Sequence, residues 1–278
     1  ITQATDRNSG LVNWKYMTGA IVLSEYYLKT KDKKILSELQ EIYDFLYHSQ
    51  YVKMSQINKK DPLGNPKRPN PENEKKAHGG WGHNPGYEGY GPIGMTTGQA
   101  ALAFALMHRC GLEVNQERHL KAYDFLQGGT GTNGYTWYAD EKAADNKYAD
   151  MGRTGVSAIA HWLSPYSETT HKEHALLQSK LIGTYPQSFP DTHGSPILGM
   201  GYTALGASIH PENFKKLMQA NKFWFTLSQC CDGSFYYQPN RDNAGYGANS
   251  RLSASAVTAF IFLIQQHKLA LTQQLITP

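Results

Sequence analysis

Three kinds of side chain in this sequence could do chemistry, and they gather in its glycine- and aromatic-rich segments. His83 and His193, with His78 beside them, can take a proton near neutral pH. Arg153, Arg241 and Arg251 each offer a planar positive fork that binds carboxylate or sulfate through paired hydrogen bonds. Tyr87, Tyr90, Tyr237 and Tyr246 supply phenols that can return a proton or lie flat on a sugar ring, and Trp81 is a larger platform of the same kind. A histidine base, a tyrosine acid and an arginine that neutralises a carboxylate are what β-elimination from a uronic acid requires. The catalytic expectation therefore falls on His83, His193, Tyr87, Tyr90 and Arg153. The substrate-binding expectation falls on Trp81, Glu88, Asp150, Tyr237, Arg241, Tyr246 and Arg251. Glu88 and Asp150 could instead act as a hydrolase carboxylate pair. Each residue also has a structural reading. The arginines can pair with Asp150, Asp232 or Asp242, Trp81 can plug its loop into the core, and a loop histidine can be satisfied by backbone.

These residues need elements to position them, and the elements repeat. The segment 78–106 reads HGGWGHNPGYEGYGPIGMTTGQAALAFAL: seven glycines from Gly79 to Gly94, then a helix of small residues. A glycine- and aromatic-rich loop running into such a helix recurs at GGTGTNGYTWY…MGRTGVSAIAHWL and at CCDGSFYYQP…RLSASAVTAF. Apolar spacing predicts nine helices, over about 10–29, 34–48, 95–109, 116–126, 153–163, 168–182, 197–209, 211–228 and 251–266. The odd ones are rich in Ala, Gly, Ser and Thr and are expected inside. The even ones are amphipathic and are expected as an outer layer. Three even helices end alike, in YDFLYHSQ, YDFLQGG and FWFTLSQ, which marks a repeated hairpin. Loops before parallel inner helices would share one mouth, where helix N-termini favour an anion. The segment 50–77, polar and rich in Pro and Lys, reads as a long surface insertion.

The stretch FWFTLSQCCDGSFYYQP resembles the QW repeat of terpenoid cyclases, with Gln229, Gly233 and Phe235 at the repeat's positions. The units GPIGMTTGQAALAFAL, MGRTGVSAIAHWL and HGSPILGMGYTALGASI resemble inner helices of α/α toroids of the cyclase and protein prenyltransferase type. Taken together, GGWGHNPGYEGYG, DMGRTG, HGSP and DGSFYYQPNRD are closest to an uncharacterised bacterial toroid family. The resemblance implies an all-α fold, an α/α toroid forming an incomplete ring of helical hairpins with inner and outer layers. Residues 1–278 would form one such domain. The cyclase acids DxDD and DDxxD are absent, as are the DxC of the prenyltransferase zinc site, the Cys–His–Gly unit of lanthionine-type cyclases and a CGEQ-like thioester motif.

Composition bounds the rest. A net charge of +4 and the lack of any nucleic-acid motif argue against a nucleic-acid partner. No apolar run approaches the ~18 residues of a membrane span. Cys110, Cys230 and Cys231 lack metal-ligand spacing, so neither metal nor cofactor is expected, and the adjacent pair is expected to stay reduced. The 18 tyrosines fit an exported, carbohydrate-facing protein, although cysteine usage does not fix the compartment. The partner class that follows is an acidic oligosaccharide or another anionic small molecule, at a toroid mouth. The alternative is a non-catalytic ligand-binding or scaffold domain within a longer exported chain; the first residue, Ile1, is not a methionine. Oligomeric state is left open.

Overall fold

The computed structural model describes residues 11–58, 68–89, 91–166, 169–190, 196–237 and 251–273. They are all-α, with ten α-helices and three short 3-10 turns among the described residues. The chain divides into two compact units. The first comprises Ile1–Thr130, Trp137–Lys142 and Leu163–Pro165, and the second comprises Gly131–Thr136, Ala143–Trp162 and Tyr166–Pro278.

The first unit is two helical hairpins, α1 (Val12–Thr30) with α2 (Ile35–Ser49), and α3 (Gly94–Arg109) with α4 (Gln116–Gly128). α1 and α3 run parallel. At one end Asn13 N–H bonds the carbonyl of His83 at 3.1 Å, just before α3. At the other, the Cys110 thiol reaches the Ser24 carbonyl at 3.6 Å. Residues 94–107 of α3 are all buried, because that stretch carries no charge and offers small residues on every side. α2 and α4 form the outer layer. Tyr43 Oη accepts from Asn115 N–H at 2.9 Å, and the Arg118 guanidinium lies 4.5 Å over the Tyr47 ring. The segment after α2 is anchored at both described ends: Tyr51 N–H bonds Gly80 O at 3.0 Å, and Asn58 N–H bonds Tyr87 O at 2.8 Å. Residues 59–67 lie outside the described residues.

The second unit contains α5 (Gly152–Trp162), α6 (Thr169–Thr184), α7 (Pro196–Ser208), α8 (Pro211–Ala220), α9 (Lys222–Ser228) and α10 (Arg251–Leu263). α5 and α7 touch through glycine. A Cβ on Gly155 would sit 2.1 Å from the Tyr202 carbonyl, and one on Gly206 would sit 2.7 Å from the Gly155 Cα. Packing this close leaves no room for a methyl group, which is the physical use of the small residues.

Two sequence expectations change here. The helix expected over 211–228 is two, broken at Asn221. Asn221 is fully buried, and its side-chain amide donates to Pro186 O at 2.7 Å and Leu217 O at 2.9 Å, so the chain turns to meet this bond. The odd-numbered positions are not uniformly interior either. α3 and α5 are buried all round, but α10 buries Ala254, Thr258 and Ile261 while Leu252 stays 81% exposed.

The repeat is visible bond for bond in the second unit. Gly131 N–H bonds Tyr135 O at 2.9 Å, Gly134 N–H bonds Gly131 O at 2.9 Å, and Tyr135 N–H bonds Asn133 Oδ1 at 3.0 Å. The same three bonds recur as Cys230 to Ser234 at 2.8 Å, Gly233 to Cys230 at 3.0 Å, and Ser234 to Asp232 Oδ1 at 3.0 Å. Gly134 (φ +95°) and Gly233 (φ +82°) both occupy the left-handed turn position that glycine favours. Each turn is then latched to the helix that follows: Thr136 N–H to Thr154 Oγ1 at 3.1 Å, and Phe235 N–H to Ser255 Oγ at 2.9 Å. The first unit repeats this latch, Trp81 N–H to Thr97 Oγ1 at 3.0 Å.

Candidate functional site

In the first unit the glycine-rich loop is fastened from both sides. Trp81 is fully buried, its indole N–H donates to Leu46 O at 2.8 Å, and its ring meets Phe104 edge-on at 5.6 Å. It plugs the loop into the core and presents no ring face to solvent. Residues 82–84 cap α1: Gly82 O accepts the Asn13 amide at 3.0 Å, and Asn84 Oδ1 accepts Val12 N–H at 3.2 Å. The bond from Val12 N–H, with that from Asn13 N–H to His83 O at 3.1 Å, serves backbone N–H groups that a helix start cannot satisfy within itself.

His83 stacks on Trp14, with ring centroids 5.8 Å apart, and its Nδ1 accepts the Trp14 indole N–H at 2.7 Å. An indole nitrogen only donates, so Nδ1 must be unprotonated and a neutral ring carries its proton on Nε2. Burial lowers the His83 pKa, and the Glu88 carboxylate opposes that shift. Glu88 itself is exposed. Tyr87 is 1% exposed, in T-shaped contact with Tyr51 at 5.3 Å and packed so closely on Gly91 that a Cβ there would lie 2.2 Å from its ring. Burial pushes the Tyr51 phenol up to about 12.

The first unit also holds an open groove of about 450 Å³, lined by Glu41, Asp44, Phe45, His48, Ser49 and Pro85. Phe45 floors it, stacked at 3.8 Å on the buried Tyr16. None of the residues expected from sequence lines this groove. Its signal was the spacing 41, 44, 45, 48 on one face of α2.

In the second unit Arg153 is 6% exposed. One arm of its guanidinium forms an ion pair with Asp150, and the other donates to Tyr135 Oη at 3.0 Å. Asp150 reaches this position from a left-handed backbone, φ +56°. A polar chain continues behind it. Gln178 Nε2 donates to Thr136 Oγ1 and to Ser157 Oγ, both at 2.9 Å, and His161 Nδ1 lies 2.9 Å from Ser157 O. Ser157 and His161 are both buried, so this contact between the imidazole and the Ser157 carbonyl lies in the core. Tyr237 is fully buried, its phenol bonded to Thr258 Oγ1 at 2.5 Å and raised to about 12 by burial against that bond. Arg251 is exposed and pairs with Asp232 at 3.0 Å. Hydrogen bonds from Ser234 hold the Asp232 carboxyl below its usual range. His193, Tyr90, Arg241 and Tyr246 lie outside the described residues.

The family model described as "Domain of unknown function (DUF6288)" matches residues 2–273. The chain belongs to this family. No curated protein matches it.

Within this DUF6288 chain, the structure brings Arg153 and Asp150 together and adds Tyr135, which sequence reasoning passed over. It sets His83 with Trp14 and Asn84, also passed over, in the other unit. The hydroxyl latches at Thr97, Thr154 and Ser255 had a weak signal, a Ser or Thr in the opening turns of each small-residue helix. Among the described residues no group of three or more His, Cys, Asp or Glu side chains is placed to hold a metal ion, and no helix is long and apolar enough to cross a membrane.

Proposed function

We propose that this domain is a non-catalytic binding and scaffold unit whose helical hairpins continue towards a ring of the α/α-toroid type. One observation carries the reading. The arginine best placed at a small-residue helix start is held by the protein's own carboxylate and phenol. An anion arriving at α5 would have to displace Asp150 from a nearly buried pair, and breaking such a pair costs about 3–5 kcal/mol. Trp81, Tyr87 and Tyr237 are likewise consumed by packing. The surface this reading offers to a ligand is the groove on α2. Its carboxylates, imidazole and aromatic floor suit a small polar ligand with a cationic or hydroxyl-rich face.

A second reading, an enzyme acting on an acidic glycan at a ring mouth, rests on Glu88 and His83. The Glu88 carboxylate raises the His83 pKa against the larger lowering by burial; His193, Tyr90, Arg241 and Tyr246, also expected from sequence, lie outside the described residues. Cyclase- or prenyltransferase-like chemistry is disfavoured by the missing acids and zinc ligands. The two main readings separate in one experiment. Wild type, Arg153→Ala and His83→Ala are titrated with a panel of acidic oligosaccharides while the ultraviolet absorbance of the conjugated product of uronate elimination is followed, and each protein is melted. The scaffold reading expects no turnover and no acidic-glycan binding, with both variants melting early. Turnover would establish the enzyme reading instead, and acidic-glycan binding lost at unchanged stability would place a glycan site at the changed residue without deciding whether it is catalytic.

A further inference from the structure

We propose that Cys230 and Cys231 form a two-thiolate site for one soft, two-coordinate cation, Cu(I). Cys231 is exposed and Cys230 half-buried, so both thiols can be reached. They open the turn that precedes α10. Its backbone is fixed by Cys230 N–H to Ser234 O at 2.8 Å and Gly233 N–H to Cys230 O at 3.0 Å, and Phe235 N–H latches it to Ser255. The turn does not need its cysteines. The matching turn at 131–136 closes with the same bonds around Gly131 and Thr132. Nor does the exposure of position 231 depend on what packs beyond α10. Thr132, at the matching place, is exposed although α6 packs on its turn, where a Cβ on Gly134 would lie 3.0 Å from Leu177.

The number of donors names the occupant. Adjacent Cα atoms stand about 3.8 Å apart, short of the roughly 4.4–6.8 Å that a disulfide spans, so the pair does not readily close on itself. Two thiolates can still meet on one cation, each thiol giving its proton to solvent as its sulfur–metal bond forms. Soft thiolates select Cu(I) and zinc. Coordination number decides between them, because a structural zinc takes four donors whereas Cu(I) is satisfied by two. No third donor is at hand. The Asp232 carboxylate is committed to Ser234 and Arg251. From Gln219 to Gln266 the sequence has no other Cys and no His or Met. Adjacent cysteines therefore lack the spacing of a zinc site and still suffice for a two-coordinate ion. The inference goes beyond the binding reading above and does not rest on it, since the α2 groove and these thiols lie in different units.

Anaerobic titration of the whole chain with Cu(I), supplied as its acetonitrile complex against the chromophoric competitor bicinchoninate, tests it. Wild type should withdraw one Cu(I) per chain. Cys230→Ser and Cys231→Ser should each weaken binding at least about a hundredfold, because the second bond of a chelate forms at high effective concentration. Cys110→Ser should bind as wild type does, since that thiol is buried in the other unit. Zn(II), titrated against a zinc-responsive dye, should bind wild type no more tightly than it binds either of the two turn variants. Copper K-edge absorption of the loaded wild type needs no variant and should show two sulfur neighbours. A wild type that leaves copper with the competitor, one copper per two chains, or a turn variant that binds as wild type would each overturn the proposal. So would copper lost on Cys110→Ser, zinc held more tightly by wild type than by the turn variants, or a copper ion with three or more protein donors.

Discussion

Replacing Arg153 with alanine tests whether the best-placed cation of this domain is structural. The guanidinium is 6% exposed and its partner Asp150 has a side chain 15% exposed. Removing one partner of a buried pair costs about 3–5 kcal/mol, because the other charge is left uncompensated. Asp150 retains some access to water, which favours the lower end, but Tyr135, only 3% exposed, also loses its partner, at about 1 kcal/mol. A loss of about 3–5 kcal/mol is therefore expected. For 278 residues the unfolding entropy is about 0.6 kcal/mol/K, so Tm should fall by roughly 5–8 °C if the chain melts in one transition. The fall should be about twice as large if the second unit melts separately. Differential scanning calorimetry reads this directly, with Arg251→Ala as control. That pair is exposed on both sides, at 59% and 55%, and its loss should leave Tm unchanged. If Arg153→Ala melts with wild type, the ion pair does not stabilise the fold, and the scaffold reading loses its main support.

Gly155→Ala places a methyl 2.1 Å from the Tyr202 backbone and should destabilise by about 2–3 kcal/mol or more in urea titration, since α5 and α7 must separate; a neutral result would refute this packing. Stability should also fall with acid through His83. Its folded pKa is lowered, chiefly by burial, so its contribution is complete above the ordinary histidine pKa of about 6.5 and is lost as pH falls below it. Protonation at Nδ1 also removes the bond from Trp14. His83→Gln should flatten part of the slope of Tm between about pH 7 and pH 5, and an unchanged slope would show that His83 does not carry it. Finally, a maleimide should modify the exposed Cys231 in native protein while the buried Cys110, whose thiol is shifted up by burial, reacts only on unfolding, as peptide mapping would show.

Local pattern made much of this fold legible in the sequence. A helix with no charge from Gly94 to Met107 has no face to give to water, so α3 was readable as interior. The glycines at 134 and 233 marked turns because few other residues tolerate a positive φ there. The likeness of the loops ahead of the small-residue helices announced the repeat, which the matching hydrogen bonds around residues 131–136 and 230–235 make concrete. Residue types also nominated Arg153 and His83 as the groups to watch, because their chemistry is intrinsic.

Partner and exposure were another matter, since they depend on residues far apart in the chain. Nothing in the order of residues says that Arg153 will turn to Tyr135, 18 positions away, or that Trp14 will reach across 69 positions to His83. Helical periodicity could not separate Asn221 from its neighbours, because the break there depends on a carbonyl 35 positions earlier. The same holds for α10. Its composition matches that of the interior helices, but burial belongs to the neighbours a helix finds. α3 and α5 are enclosed by theirs, whereas α10 leaves Leu252 and Leu263 in water. Sequence determined which faces are apolar, through spacing fixed at 3.6 residues per turn; only tertiary packing decided which of them are covered.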